Sequence, residues 1–457
     1  MDPLALLRSR AYVRLLLLAA ALGLPISALA YFFVQLVTHL QQWVFDDLPA
    51  ALGVSAGAAW WPVPVLALAG LVVGLAIKVL PGRGGETPAD GFHGGHGPPP
   101  ARRLTGIALA ALAGLGLGVV LGPEAPLIAL GGGLAAAVVR LRRNPPDDRT
   151  VAVVGSTGSF AAISTLLGSP LPGAFLLMEA AGLGGPMLGL VLVPGLLAAG
   201  LGTLVFIGLG SITGLGSASL AIPDLPAIAH PELSEFGWAL VIGVLAVALG
   251  FPIRTMGLRV KLLAESRPVI VAVAVGLAIG ALAGLYAAAT DHSWSDVLFS
   301  GQNELAPLVE SAAGYSVAAL LLLLACKGLA YGLALGAFRG GPVFPAMFLG
   351  AAMGIALSHL PGLRLVPAVG MGIGAMSVVM LRLPLTSVLL AAILLAPDSV
   401  AVVPLVIVAV VVAFVVSARL GPPPPARPPA DPAPAVVPRR LSATSPESST
   451  RRGEAAT

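Results

Sequence analysis

Residues 15–45, 61–77, 104–122, 269–290 and 399–418 contain no Asp, Glu, Lys or Arg. A helix needs about 20 apolar residues to cross the hydrocarbon core of a bilayer, and these runs meet or approach that length. A water-soluble domain would break them with charge. The constraint therefore selects an all-α polytopic membrane protein, in keeping with 57% hydrophobic and 10% charged residues overall. The 57 glycines and 41 prolines predict close helix contacts and broken helices whose loose backbone lines a cavity. Several further apolar segments, among them 126–140, 170–182, 345–359 and 384–395, are too short to span alone. Short, Gly/Pro-interrupted segments in corresponding places of two halves point to a transporter-like binding site.

Three arginines (Arg8, Arg10, Arg14) precede the first apolar run, with no small-residue cleavage site behind it. This reads as a retained first helix. Residues 419–457 hold six arginines and three acids, so the positive-inside rule puts both ends in the cytoplasm. The expected division is a transmembrane domain over 1–418 and a disordered Pro/Arg-rich tail over 419–457. The composition suggests a bacterial cell membrane. Cys326 is the sole cysteine, so no internal disulfide forms. His93 and His96, in GFHGGHG, have no fixed third ligand and read as part of a solvated loop. No cofactor, metal, catalytic residue or nucleic-acid partner is expected, and no nucleotide-binding P-loop motif is present.

The two halves match. GPEAP (122–126) pairs with GPVFP (341–345), and each opens a Gly/Ala-rich apolar helix. Gly158 lies 12 residues before Pro170, and Gly372 lies 12 before Pro384. The offsets between paired prolines are 345 − 126 = 219 and 384 − 170 = 214. Two motif pairs in one order at nearly one offset predict an internal repeat, about 60–210 and 235–418. Inverted topology is the common solution for transport proteins.

Glu124 stands inside the first of these motifs, in otherwise acid-free sequence. Proline suits the first turn of a helix, where a missing N–H costs nothing. Such a start leaves amides unpaired and concentrates partial positive charge, a ready site for an anion. Two starts could converge and hold a dehydrated anion without a full cationic charge, which would bind too tightly for fast release. Glu124 would then be a competing occupant of that site, blocking it when ionised and opening it when protonated or swung aside. An acid at mid-membrane costs about 2.5–3.5 kcal/mol, so function is the default reading. Glu179 is the one other acid with apolar sequence on both sides; an ion pair near one face would also account for it.

These residues resemble the CLC family of chloride channels and proton-coupled chloride exchangers over roughly residues 10–420. GGETP (84–88) is similar to the family's GSGIP motif, GPEAP to its G-[KR]-E-G-P motif, and GGPVFP (340–345) to its GGIFAP-like motif. GSPLPGAFLLMEA, LLACKGLA and RLPLTSVLL are similar to further family segments. The resemblance implies two inverted repeats and a homodimer in membrane lipid, each subunit with its own path for chloride or a similar small anion. It implies that Glu124 is the gating and proton-accepting residue. It also implies anion contacts from the backbone of Gly84, Gly85, Thr87, Ala125, Val343 and Phe344.

The departures from the family shape the functional expectation. The serine ligand aligns with Gly85, which has no hydroxyl. Pro123 and Pro342 remove amides, and Glu86 replaces a glycine. The tyrosine ligand has no counterpart, since 421–425 read GPPPP. The inner proton glutamate aligns with Ala180, one residue after Glu179. Passive anion permeation gated by Glu124 is therefore the leading expectation. Proton-coupled exchange is the alternative, with Glu179 or Glu86 as substitute relay. A transport-inactive scaffold and a cation carrier using Glu86 and Glu124 are further alternatives.

Overall fold

The computed structural model describes residues 8–420, apart from 56, 92–96, 142–146, 183–185, 215–219, 224, 227, 229 and 396–398. His93, His96 and the proline run after residue 420 lie outside the described residues. The described chain is built of helices. The main ones are α1 (Arg10–Gln42), α2 (Pro62–Val79), α3 (Ala101–Gly116), α4 (Glu124–Arg140), α5 (Asp148–Leu166), α6 (Pro170–Ala180), α7 (Pro186–Thr213) and α8 (Leu233–Ser266), followed by α9 (Pro268–Ala289), α10 (Leu305–Glu310), α11 (Val317–Ala337), α12 (Val343–Ser358), α13 (Leu365–Leu381), α14 (Pro384–Leu394) and α15 (Ser399–Leu420). Seven helices among the described residues are long and apolar enough to cross a membrane, while α12, α13 and α14 are apolar but short. The helices pack as one compact unit that ends at Ser417.

Most helix ends fall within a few residues of those the apolar pattern predicts. The exception is α8. The apolar stretch that opens this helix breaks at Arg254, but the helix continues to Ser266. Its last turns carry Arg254, Arg259, Lys261 and Glu265, so an apolar run marks only the part of a helix in lipid, not the part beyond it.

Glycine contacts fix how the helices run. In α2 and α9, Gly74 abuts Val269 and Gly284 abuts Ala59, with Gly70 against Ala272 and Gly276 against Leu66 between them. The two helices are therefore antiparallel and touch backbone to backbone, as small residues allow in a membrane. Lys78, Arg83 and Arg267 lie at one end of this pair. Asp291 lies at the other, near Asp46 and Asp47, because the Trp61 indole donates to the Val44 carbonyl (3.0 Å). These ends define a basic face and an acidic face.

The two repeats run in opposite senses between them. Gly131, five residues after Pro126, packs against Gly158; Gly350, five residues after Pro345, packs against Gly372. The motif glycines are thus equivalent crossing points, α4 on α5 and α12 on α13. Gly133 of α4 meets Pro99 and Leu104 at the start of α3, whose Gly106 meets Pro81. So α4 runs from the molecule's middle to the basic face. Gly354 of α12 meets Ala368, just inside Arg364, which is bidentate to Glu235 at the start of α8 (2.8 and 2.8 Å). So α12 runs from the middle to the acidic face.

Candidate functional site

Pro123 and Pro342 take nearly the same backbone conformation, φ −82°, ψ 1° and φ −92°, ψ −1°, as the N-caps of α4 and α12. The residues before them join the two starts. The Gly122 amide donates to the Gly341 carbonyl (2.8 Å), and the Gly341 amide returns a bond to the Gly122 carbonyl (2.5 Å). A Cβ on either glycine would overlap the Glu124 carboxylate where it now lies. The two glycine–proline tips therefore converge on one buried spot, head to head.

Glu124 fills that spot. It is fully buried. Its Oε1 accepts the Phe344 amide at the tip of α12 (3.0 Å), while Oε2 has no hydrogen-bond partner. Leaving a buried acceptor unsatisfied costs about 1–3 kcal/mol, and such a group in a folded protein calls for a reason. The amides of Ala125 and Val343 lie in the same two first turns, where no intrahelical carbonyl is within reach.

The GGETP loop approaches from the basic face. Gly82, Arg83, Gly84 and Gly85 all have positive φ (84°, 50°, 73° and 102°), a tight left-handed turn that glycine adopts freely and arginine does not. The turn closes with the Gly85 amide on the Gly82 carbonyl (2.9 Å), which occupies a donor expected to face the anion. Gly84 is buried, and a Cβ there would press on Ala110 and on Cγ of Arg339. Arg339 immediately precedes Gly340 and Gly341, so the loop reaches the convergence point through that side chain. Glu86 is exposed and Thr87 half-exposed. Glu179 belongs to a different junction. Its carboxylate accepts the amides of Leu385 (3.0 Å) and Thr386 (2.8 Å) and the Thr386 hydroxyl (2.6 Å) at the start of α14.

Two converging helix tips with a carboxylate lodged between them, in a chain of opposed repeats, invite comparison with known proteins. Residues 69–418 match the family model described as voltage gated chloride channel. The chain belongs to that family. Among its curated relatives is "Putative ion-transport protein YfeO" of Escherichia coli O1:K1 / APEC, 28% identical over 396 residues, covering 84% of this chain and 89% of the relative. The namesake from Escherichia fergusonii is 29% identical over 369 residues, covering 78% and 81%. Among solved structures, a slow cyanobacterial Cl-/H+ antiporter superposes with a TM-score of 0.70 at 21% identity, covering 89% of this chain and 95% of its own. A CLC-type fluoride/proton antiporter gives 0.62 at 17% identity, covering 89% and 95%. At those identities the likeness is one of fold: this chain is an all-α, multi-pass CLC-family membrane protein.

Three residues near the tips escape the motif-based reading. Tyr331 of α11 is fully buried and donates its hydroxyl to the Pro342 carbonyl (2.7 Å), fixing the N-cap of α12. Lys327, one turn earlier, is also buried. It donates to the carbonyls of Asp296 (2.8 Å), Val297 (3.3 Å) and Leu298 (2.9 Å), and its ammonium lies 4.2 Å from the Phe348 ring centre. The third is Arg339. Lys327 and Arg339 are the only charged residues between 311 and 363, and that isolation in apolar sequence is the signal that finds them.

Proposed function

We propose that this protein moves a small anion of the chloride type between the tips of α4 and α12, with Glu124 as its gate and no obligatory proton exchange. The observation carrying this reading is the carboxylate itself, one oxygen on the Phe344 amide and the other unpartnered. A carboxylate oxygen and a dehydrated halide make similar demands on amide donors, so they compete for the same helix tip. The gate opens when the side chain leaves or gains a proton, and the freed amides of Phe344, Val343 and Ala125 then hold the passing ion. These donors carry partial charge, which keeps binding weak enough for release.

Proton-coupled antiport is the second reading, favoured by the two solved antiporters that share the fold. Coupling needs a titratable relay between Glu124 and the basic face. Glu179 accepts three hydrogen bonds at the start of α14, and position 180 is alanine, so neither makes a ready relay. Basic-face residues such as Lys78, Arg83 and Arg267 point to that face as cytoplasmic in a bacterial cell membrane. A homodimer in lipid, each subunit with its own path, completes the proposal.

Protein reconstituted in liposomes tests it. Chloride efflux is expected to proceed with or without a proton ionophore, and Glu124→Gln is expected to raise it at neutral pH and flatten its pH dependence. Chloride-driven proton uptake would establish antiport instead. Absence of halide and nitrate flux from wild-type protein would remove transport altogether.

A further inference from the structure

We propose that the Arg339 guanidinium is an anion-binding group at the basic-face mouth of the pathway, where it captures a small monovalent anion before that anion reaches the helix tips. The inference rests on the transport reading above and adds a site to it.

The geometry comes first. Nε of Arg339 donates to the Arg83 carbonyl (3.2 Å) and Nη1 to the Phe338 carbonyl (3.1 Å). A guanidinium has five N–H donors, so 5 − 2 = 3 remain, on Nη1 and Nη2 at the outer end of the fork. Among the described residues no carboxylate lies within ion-pair distance of it. The neighbouring cation is different: Lys261 has Asp90 (2.6 Å) and Glu265 (3.6 Å) in direct contact. Asp90 and Glu265 act on Arg339 only at longer range, and a partly buried guanidinium with no carboxylate in contact leaves its outer donors to a mobile anion.

Position comes second. Gly341, whose backbone bounds the Glu124 carboxylate, follows Arg339 by two residues, a reach of roughly 7 Å of chain. Cγ of Arg339 lies over Gly84, and the loop's Gly85 amide is spent inside its own turn. Arg339 therefore brings free donors to this mouth at a half-buried position, inside the exposed Arg83. Its full charge suits a mouth, where an anion must first be drawn out of water, and leaves the centre to weaker amide donors. A planar fork with parallel N–H groups accepts a halide and pairs bidentately with a planar oxyanion such as nitrate.

The test is calorimetric titration of the purified full-length protein with potassium nitrate against a gluconate background. Arg339→Gln is expected to weaken nitrate binding about tenfold, the scale of a lost charge-assisted hydrogen bond, whereas Arg339→Lys, which keeps the charge but loses the planar fork and the loop bonds, falls between wild type and Arg339→Gln. Equal binding in Arg339→Gln, or an Arg339→Lys as weak as Arg339→Gln, would overturn the proposal in favour of a role confined to holding the 82–85 turn. Should Arg339→Gln not fold, phenylglyoxal modification of Arg339 in wild-type protein, read by peptide mass, takes its place. Nitrate but not gluconate should slow the modification, and an unchanged rate would count against the site. None of these readouts needs flux. Wild-type protein that binds nitrate through Arg339 yet moves no anion sinks the transport reading alone. Protein whose flux responds to Glu124→Gln but whose nitrate affinity ignores Arg339 sinks this inference alone.

Discussion

Gly341 shows how closely the Glu124 carboxylate is fitted to the backbone around it. A methyl group there would overlap Oε2 of Glu124 and lie 2.9 Å from its Cβ, while the residue's own φ lies outside the left-handed range. Alanine at 341 therefore conflicts with the Glu124 side chain and not with its own backbone. Gly341→Ala should push the carboxylate out of the site at a packing cost of about 1–3 kcal/mol. Its resting anion flux should then move toward that of Glu124→Gln, and combining the two changes should add little, the mark of coupled neighbours. Liposome efflux from the two single variants and the double variant measures this. Additive effects would mean that Glu124 has room to stay. Glu124 was legible in the sequence because a lone acid in apolar surroundings is expensive. Applied to cations as well, that criterion would have found Lys327 and Arg339. The engagement of the Gly85 amide was not legible, because it follows from four consecutive positive φ values, one of them at an arginine.

Between residue and fold, the junction of α6 with α14 carries a load that sequence spacing could not reveal. The N-cap of α14, Leu383, has no side-chain acceptor to offer. Glu179, at the end of α6, supplies one from the other repeat by accepting two amides and a hydroxyl. A carboxylate at a helix N-terminus satisfies orphan donors and complements the helix dipole. Glu179→Ala should lower stability by about 1–3 kcal/mol, the scale of a lost cap whose donors go unpaired, read as a fall in the thermal midpoint of the detergent-solubilised protein. It should leave proton movement during chloride efflux unchanged. Loss of a proton flux on making Glu179→Gln would identify Glu179 as a relay and restore the exchanger reading. Helix extents were read well from apolar runs wherever lipid bounds the helix. They were underestimated in α8, where the last turns leave the apolar layer and carry charge.

At the scale of the whole molecule, the two repeats cross the same layer in opposite senses, which is why their first helices can meet tip to tip at its middle. That arrangement was foreshadowed by the paired motifs, but their sense was not, since offsets of 219 and 214 residues carry no direction. The same geometry fixes where the described ends lie. The first helix ends near Val44 on the acidic side, so its 33 residues, about 50 Å of helix, begin on the basic side. In the last helix, Val402 and Val406 pack near Gly370 and Val410 near Gly374. It therefore runs parallel to α13, away from Arg364 and toward the basic face. Both described ends share that face, which the proposal places in the cytoplasm by the positive-inside rule. Cysteine accessibility can decide this, because the sole native thiol, Cys326, is buried and can be replaced by alanine. Single cysteines at exposed Asp291, on the acidic face, and exposed Glu265, on the basic face, would then be treated with a membrane-impermeant maleimide. In cells whose outer barrier is permeable to the reagent, the 291 thiol should react while the inner membrane is intact, and the 265 thiol only after it is opened. The reverse pattern would put Arg339 at the outer mouth and turn the proposed capture site toward the medium. Equal labelling of both positions in intact cells would mean that the chain inserts in both orientations, and the charge asymmetry between the faces would then not be what sets its topology.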